Sequence, residues 1–239
     1  MDLPNISEKR RKELLAFLSE RGFSLSNLNL LDLAFHHSSS VNTPGAFQGN
    51  NERLEFLGDT VLDLVTANYI FEKFPQKNEG DLSRVKSVVV SEAVLSEVAL
   101  SFGVDSLMIL GRGEVLSGGN RKRAILADAL EAIIAVFFLD GGYEKATEFV
   151  LSFIPREVTK VINDTSHRDY KTMIQEFAQR EFKVSPKYEM AYMEGPEHDR
   201  TFFMVCRIGN RTYGPASGKS KKDGEQAAAK IAWTELCHK

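Results

Sequence analysis

Cysteine is nearly absent from this chain of 239 residues: Cys206 and Cys237 are the only two, without C-x-x-C spacing or a histidine cluster beside them. That excludes a disulfide-built scaffold and offers no zinc-ligand pattern, although two cysteines leave room for one disulfide. Such usage fits a reducing cytoplasm, and a cytoplasmic location is expected. Long apolar runs are also missing. The run Ala132 to Leu139 has eight residues, against about 20 for a membrane span, so no membrane partner is expected. Met1-Asp2-Leu3-Pro4-Asn5 shows no basic region ahead of an apolar core, so no secretory signal is expected. Internal repeats and low-complexity segments are lacking. So is an overall positive charge: the net value is −3, which at first counts against a nucleic-acid binder.

The charge is unevenly spread. Residues 168–239 hold 13 Lys+Arg against 10 Asp+Glu, whereas residues 1–167 hold 17 against 23. A phosphate-binding tail on an acidic, cation-demanding domain has this distribution. Length suffices for two modest domains, and 43% hydrophobic with 26% charged residues is ordinary for soluble globular protein.

The acids are placed more tellingly than they are counted. In Asn51-Glu52-Arg53-Leu54-Glu55-Phe56-Leu57-Gly58-Asp59 they stand at 52, 55 and 59. Helical residues three, four and seven apart share a face, so Glu52, Glu55 and Asp59 form one stripe on a helix. A second pair, Asp128 and Glu131, lies in Ile125-Leu126-Ala127-Asp128-Ala129-Leu130-Glu131-Ala132. Both sets sit among residues that read as helix core: Leu54, Phe56, Leu57, Val61 and Leu62, then Ile125, Leu126, Leu130 and Ile133. Carboxylates crowded on inward-packing helices repel one another and lose hydration, and a hard divalent cation resolves both problems. A solvated face with incidental salt bridges is the reading that competes, because spacing does not say that the two helices meet.

Glu52 to Asp59 resembles the signature of the ribonuclease III family of double-stranded RNA endonucleases. The likeness continues through Ala34-Phe35-His36-His37-Ser38-Ser39 with Asn42, Glu79-Gly80-Asp81-Leu82-Ser83, Gly111-Arg112-Gly113-Glu114, Ser117-Gly118-Gly119 and Leu126 to Ala132, in the family's order. The C-terminal portion resembles a double-stranded-RNA-binding domain. The resemblance implies an all-α N-terminal endonuclease domain over 7–140, helical to about 162, a linker at 163–167 and an α+β domain of order α-β-β-β-α over 168–237. It implies that Glu55, Asp59, Asp128 and Glu131 hold Mg2+, with Mn2+ able to substitute, and that Asp59 and Glu131 are catalytic. Glu52 and Glu79 match accessory acids, for which a structural salt-bridge role is an equal alternative. It further implies a homodimer with Phe56 as an interface knob, products with 5′-phosphate and 3′-hydroxyl ends and short 3′ overhangs, and processing of precursor ribosomal RNA and structured transcripts. Rival readings are a non-catalytic double-stranded-RNA binder that keeps the nuclease fold as scaffold, and a ribosome-associated structural protein. Retention of all four core acids counts against the first; the second predicts no magnesium dependence.

Periodicity predicts a first helix around Leu14 to Leu18 with a stop at Gly22, one from Asn51 to about Phe74, and a continuous one from Leu82 to about Phe102, where a long strand over Val85–Val90 is the alternative and length favours helix. It predicts a very apolar helix from Arg121 to Leu139 ended by Asp140-Gly141-Gly142, then a helix over 143–162 broken near Pro155. Beyond the linker come a helix Tyr170 to Phe182, strands at Lys187 to Tyr192, Thr201 to Ile208 and a short Arg211 to Gly214, and a helix Ser220 to Leu236. By resemblance, Gln175, Glu176 and His198 touch the RNA minor groove, and Lys219, Lys221 and Lys222 meet phosphates at a helix N-terminus. By resemblance His37 is structural, hydrogen-bonded near the signature helix. Gly111-Arg112-Gly113 and Ser117-Gly118-Gly119 read as turns rather than phosphate-binding loops, since no strand–loop–helix context surrounds them. Gly224 replaces a customary Ala and is expected to soften docking of the last helix, and Ala124 stands where Ser is common. The segment Asn42 to Asn50 reads as a mobile loop.

Overall fold

The computed structural model describes residues 2–41, 45, 47–163, 170–196 and 199–237, and the chain divides into two compact units, Met1–Asn163 and Asp164–Lys239. In the first unit, α1 (Glu8–Ser19) starts at Ser7, whose Oγ accepts from the Arg10 N–H at 3.2 Å. α2 (Leu28–Ala34) starts at Asn27, whose side chain accepts from the Leu30 N–H at 3.0 Å. Such caps satisfy N–H groups that a helix leaves free. α3 (Glu52–Lys73) carries the acidic stripe and stops ahead of Pro75. Asn51 pins its start to the end of α2: its N–H donates to His36 O at 2.8 Å and its Nδ2 to Ala34 O at 3.1 Å.

The expected single helix from Leu82 to Phe102 is two, α4 (Glu79–Val89) and α5 (Glu92–Ser101). The chain breaks at Ser91, which is extended (ψ 150°) ahead of Glu92. Ser91 makes no side-chain cap to α5; its Oγ donates back to Val88 O at 2.7 Å at the end of α4, and Glu92 in the first turn of α5 offsets the helix dipole. A short α6 (Arg112–Leu116) occupies the segment read as a turn, followed by Gly118 at φ 75°. α7 (Arg123–Leu151) leaves helical geometry at Gly141 and Gly142, where the sequence predicts a stop, and α8 (Ile154–Asn163) follows. From Ile125 to Phe137 α7 is buried on every side except at Asp128 and Glu131, and this stretch is the unit's buried axis. Leu126, Leu130, Ile133 and Phe137 have no exposed surface, and Phe137 stacks on Phe149 with ring centroids 4.2 Å apart.

The second unit runs α9 (Tyr170–Phe182), β1 (Lys187–Glu194), β2 (Thr201–Ile208), β3 (Arg211–Gly218) and α10 (Lys221–Cys237), with an antiparallel sheet of order β1-β2-β3. Both helices pack on one sheet face over a core that includes Ile174, Met204, Cys206, Tyr213, Ala228 and Ala232. β3 is eight residues long rather than the short strand expected, because a bulge absorbs Gly214-Pro215 opposite Val205. Proline is tolerated there because β3 is an edge strand. Gly224 also differs from expectation. A Cβ at this position would lie 2.6 Å from Met204 Cγ, so the glycine lets α10 approach β2 closely and does not loosen the contact. The fold is thus an all-α unit followed by an α-β-β-β-α unit. Asn42, His198 and positions 164–167 of the expected linker lie outside the described residues, while Asn163 ends α8. Among the described residues no helix is long and apolar enough to cross a membrane.

Candidate functional site

The two acidic helices meet. α3 lies against α7 at Gly58, where a Cβ would fall 1.8 Å from the Glu131 backbone oxygen. Only a glycine permits this backbone-to-backbone approach. It brings Glu55, Asp128 and Glu131 together, each offering a carboxylate oxygen within 4.8 Å of the others. All three are half-buried. Asp59, one turn past Glu55, is exposed and outside that trio, but its charge bears on both Glu55 and Glu131. The expected quartet is therefore three converging carboxylates with a fourth at the rim.

Burial pushes the Glu131 carboxyl up to about 8, reinforced by the charges of Asp59, Asp128, Glu55 and Asp63. Burial also raises Glu55, helped by Asp128, Glu52 and Asp59. Asp128 is raised by burial and by Glu92, against a lowering from His37. Among the described residues no lysine or arginine is ion-paired with these acids; Lys86 and Lys122 pair instead with Asp63 and Glu114, each at 2.6 Å. Crowded, partly desolvated oxygens without a protein counter-charge suit a hard divalent cation, which favours the ionised form of each.

This arrangement has a measurable consequence. A raised carboxyl keeps its proton in the folded protein at pH values where the unfolded chain has lost it. Glu131 therefore contributes stability that is full below its ordinary 4.5 and is lost as pH rises to about 8. Added Mn2+ should reverse this trend, because binding requires the ionised group. Thermal melts with chelator and with Mn2+ should diverge steadily between about pH 5.5 and about pH 8.5. A metal-induced gain that ignores pH would remove Glu131 from the ligand set.

The remaining acids stand further out. Glu52 is exposed yet acts on Glu55. Glu79, exposed in the first turn of α4, accepts from Ser83 Oγ at 2.8 Å and is not in the trio. Among the described residues His36 is the buried histidine. Its Nε2 lies 3.1 Å from Asp32 Oδ2, and Asp32 also accepts from Arg10 Nε at 2.6 Å. His37 is half-buried, its Nδ1 accepts from the Ser39 N–H at 3.2 Å, and it influences Asp128 and Glu114 electrostatically. Phe56, read as core from its neighbours, is 78% exposed, with Leu64 and Phe71 following on the same exposed side of α3. Sequence reasoning missed Asp63 and Glu92. Asp63 was within reach, four residues past Asp59 on the same stripe; Glu92 was not, since its position depends on the break at Ser91.

In the second unit, Gln175 and Glu176 are exposed on α9. Lys219, Lys221 and Lys222 are exposed around the start of α10, where Ser220 and Asp223 cap each other reciprocally. Lys219 Nζ also reaches Asp199 Oδ1 at 2.6 Å, an exposed pair of little energetic weight. Three exposed lysines gathered at the positive end of a helix dipole form a surface suited to phosphate.

Comparison with known proteins agrees with this architecture. A family model described as ribonuclease-III-like matches residues 27–158, and one described as double-stranded RNA binding motif matches 170–236. Ribonuclease 3 of Treponema denticola is 46% identical over 97% of this chain and 94% of its own length. Ribonuclease 3 of Borreliella burgdorferi is 39% identical over 95% of this chain and 93% of its own. The crystal structure of the Campylobacter jejuni ribonuclease III nuclease domain aligns with a TM-score of 0.55 at 36% identity, covering 64% of this chain and 98% of that one. A second structure of that domain, described for flexibility in its region involved in dimer formation, aligns at 38% identity with a TM-score of 0.54, covering 59% of this chain and 95% of that one. A helical unit with converging carboxylates joined to an α-β-β-β-α unit defines a two-part nuclease for structured RNA. The chain belongs to the ribonuclease III family and is an endoribonuclease of that type, acting on double-stranded RNA.

Proposed function

We propose that this enzyme hydrolyses phosphodiesters of duplex RNA with Mg2+ held by Glu55, Asp59, Asp128 and Glu131. The observation that carries the reading is the Glu55–Asp128–Glu131 trio, with oxygens within 4.8 Å of one another and no cationic partner among the described residues. Bound Mg2+ would supply Lewis acidity and an activated water. Glu131 and Asp59 are the catalytic pair: Glu131 is the carboxylate most strongly driven to seek a counter-charge, and Asp59 is the exposed one beside it. Glu52 and Glu79 are accessory acids at the edge of the RNA path. Gln175, Glu176 and His198 contact the minor groove, and Lys219, Lys221 and Lys222 hold phosphates, positioning the duplex without reading sequence. The nuclease domain spans 7–140 with helix continuing to Asn163, which the expected linker of 163–167 loses to α8, and the RNA-binding domain spans 168–237. The products carry 5′-phosphate and 3′-hydroxyl ends with short 3′ overhangs, and the substrates are precursor ribosomal RNA and structured transcripts in the cytoplasm.

Incubating a long RNA duplex with the full-length protein, with and without Mg2+, tests the proposal. Short duplexes bearing those ends, formed only with the metal, are the expected result. Tight binding without cleavage would favour the scaffold reading instead.

The working form is a homodimer in which the exposed side of α3 faces its copy. Phe56, Leu64 and Phe71 are 78%, 57% and 69% exposed, an apolar stripe that a monomer would leave in water. Phe56→Ala should raise the dimer dissociation constant at least about tenfold, from the loss of a buried aromatic contact. Sedimentation at matched concentrations gives the answer, and an unchanged constant would remove Phe56 from the interface.

A further inference from the structure

Lys86 on α4 holds Asp63 on α3, with Nζ 2.6 Å from Oδ2 and both side chains half-exposed. Neither residue belongs to the metal ligands proposed above. A lone ion pair at such exposure contributes little to stability, so stability does not account for it. Position does. Asp63 follows Asp59 by four residues, one turn further along the acidic face, and its charge reaches Glu131. Lys86 approaches from the other side, lining with Leu64, Ala67, Phe71 and Leu82 an apolar groove of about 430 Å³ on α3 and α4. Its stem is sheathed by apolar surface while its ammonium is directed to Asp63.

We propose that Asp63 and Lys86 form a positioning pair that sets the strength of the metal centre: Asp63 adds a fixed negative charge behind the carboxylates, and Lys86 both anchors and partly cancels it. The two charges then act on a divalent cation with opposite sign. Lys86→Met leaves Asp63 unneutralised and should tighten divalent binding. Asp63→Asn leaves a lone cation near the cluster and should weaken it. The change expected is about threefold in each direction at low salt, shrinking as salt screens the pair. The double substitution should return close to the parent value, and Lys86→Arg should behave like the parent.

The inference rests on the metal reading and is tested separately from it. Mn2+ affinity is measured by calorimetry on the full-length, metal-stripped protein without RNA. Cleavage is then followed across a Mg2+ series, where the half-saturating concentration should shift while the rate at saturating Mg2+ stays constant. Absence of Mn2+ binding by the parent protein would sink the metal reading itself. Parent binding with unchanged affinity in both single variants, or a shift in the same direction in both, would overturn the role of the pair alone. Asp63→Ser provides a second neutral variant should Asp63→Asn fail to fold, and must weaken binding in the same way.

Discussion

Glu131→Gln is expected to lower cleavage on the order of 10³-fold, since losing one charged ligand costs several kcal/mol of transition-state stabilisation. Duplex binding should stay nearly intact, because the exposed lysines and α9 residues proposed to meet RNA lie in the second unit. The same change removes the most strongly perturbed carboxyl of the cluster, pushed to about 8 by burial and four neighbouring acids. The metal-free variant should therefore melt higher than the parent above that pH, where the parent must bury a charge. Single-turnover cleavage, filter binding and melts under chelator together test this. Turnover near the parent rate at ordinary Mg2+ would eliminate the proposed centre.

Gly58→Ala should be nearly as damaging, though it touches no charge. Its added Cβ would meet the Glu131 carbonyl at 1.8 Å, a contact with backbone that no rotamer change relieves. α3 and α7 must move apart, which costs about 1–3 kcal/mol in a packed interior and occasionally more. Displacing Glu131 from Glu55 by about 1 Å should cost roughly 10²-fold in rate. Gly113→Ala provides the contrast: nothing lies within 4 Å of its Cβ position, and both stability and cleavage should be unchanged. Parent-like metal affinity in Gly58→Ala would show that the close crossing does not set the ligand geometry.

Much of the architecture was legible in the sequence because it rests on local signals. The stripe at 52, 55 and 59, the double glycine at 141 and 142 and the change to strand alternation after Pro186 each act over a few residues. The failures are long-range or competitive. Valine spacing from 85 to 98 argues for one helix, and the extended backbone at Ser91, whose Oγ turns back to Val88 O, breaks it. Gly214-Pro215 reads as a strand end until the neighbouring strand shows where a bulge can go. Phe56 looks like core on one-dimensional evidence, whereas its azimuth on α3 turns it outward. In the site, residue identity gave the acids, but their order of burial, the charge of Glu92 on Asp128 and the Lys86–Asp63 pair depend on which helices touch.

An ordinary surface helix keeps one side on which substitutions pass unnoticed. α3 has almost none. Leu54, Val61, Leu62 and Val65 fill the core, Glu52, Glu55, Asp59 and Asp63 line the acidic face, and Phe56, Leu64 and Phe71 form the exposed apolar one. A few positions, such as Arg53 and Glu72, remain as ordinary solvated residues. Mutational tolerance should accordingly be low along all of the roughly six turns of α3, as it is along the buried stretch of α7 from Ile125 to Phe137. Drift should be recorded on the solvated faces of the other helices, while α3, like the buried part of α7, stays close to a fixed text.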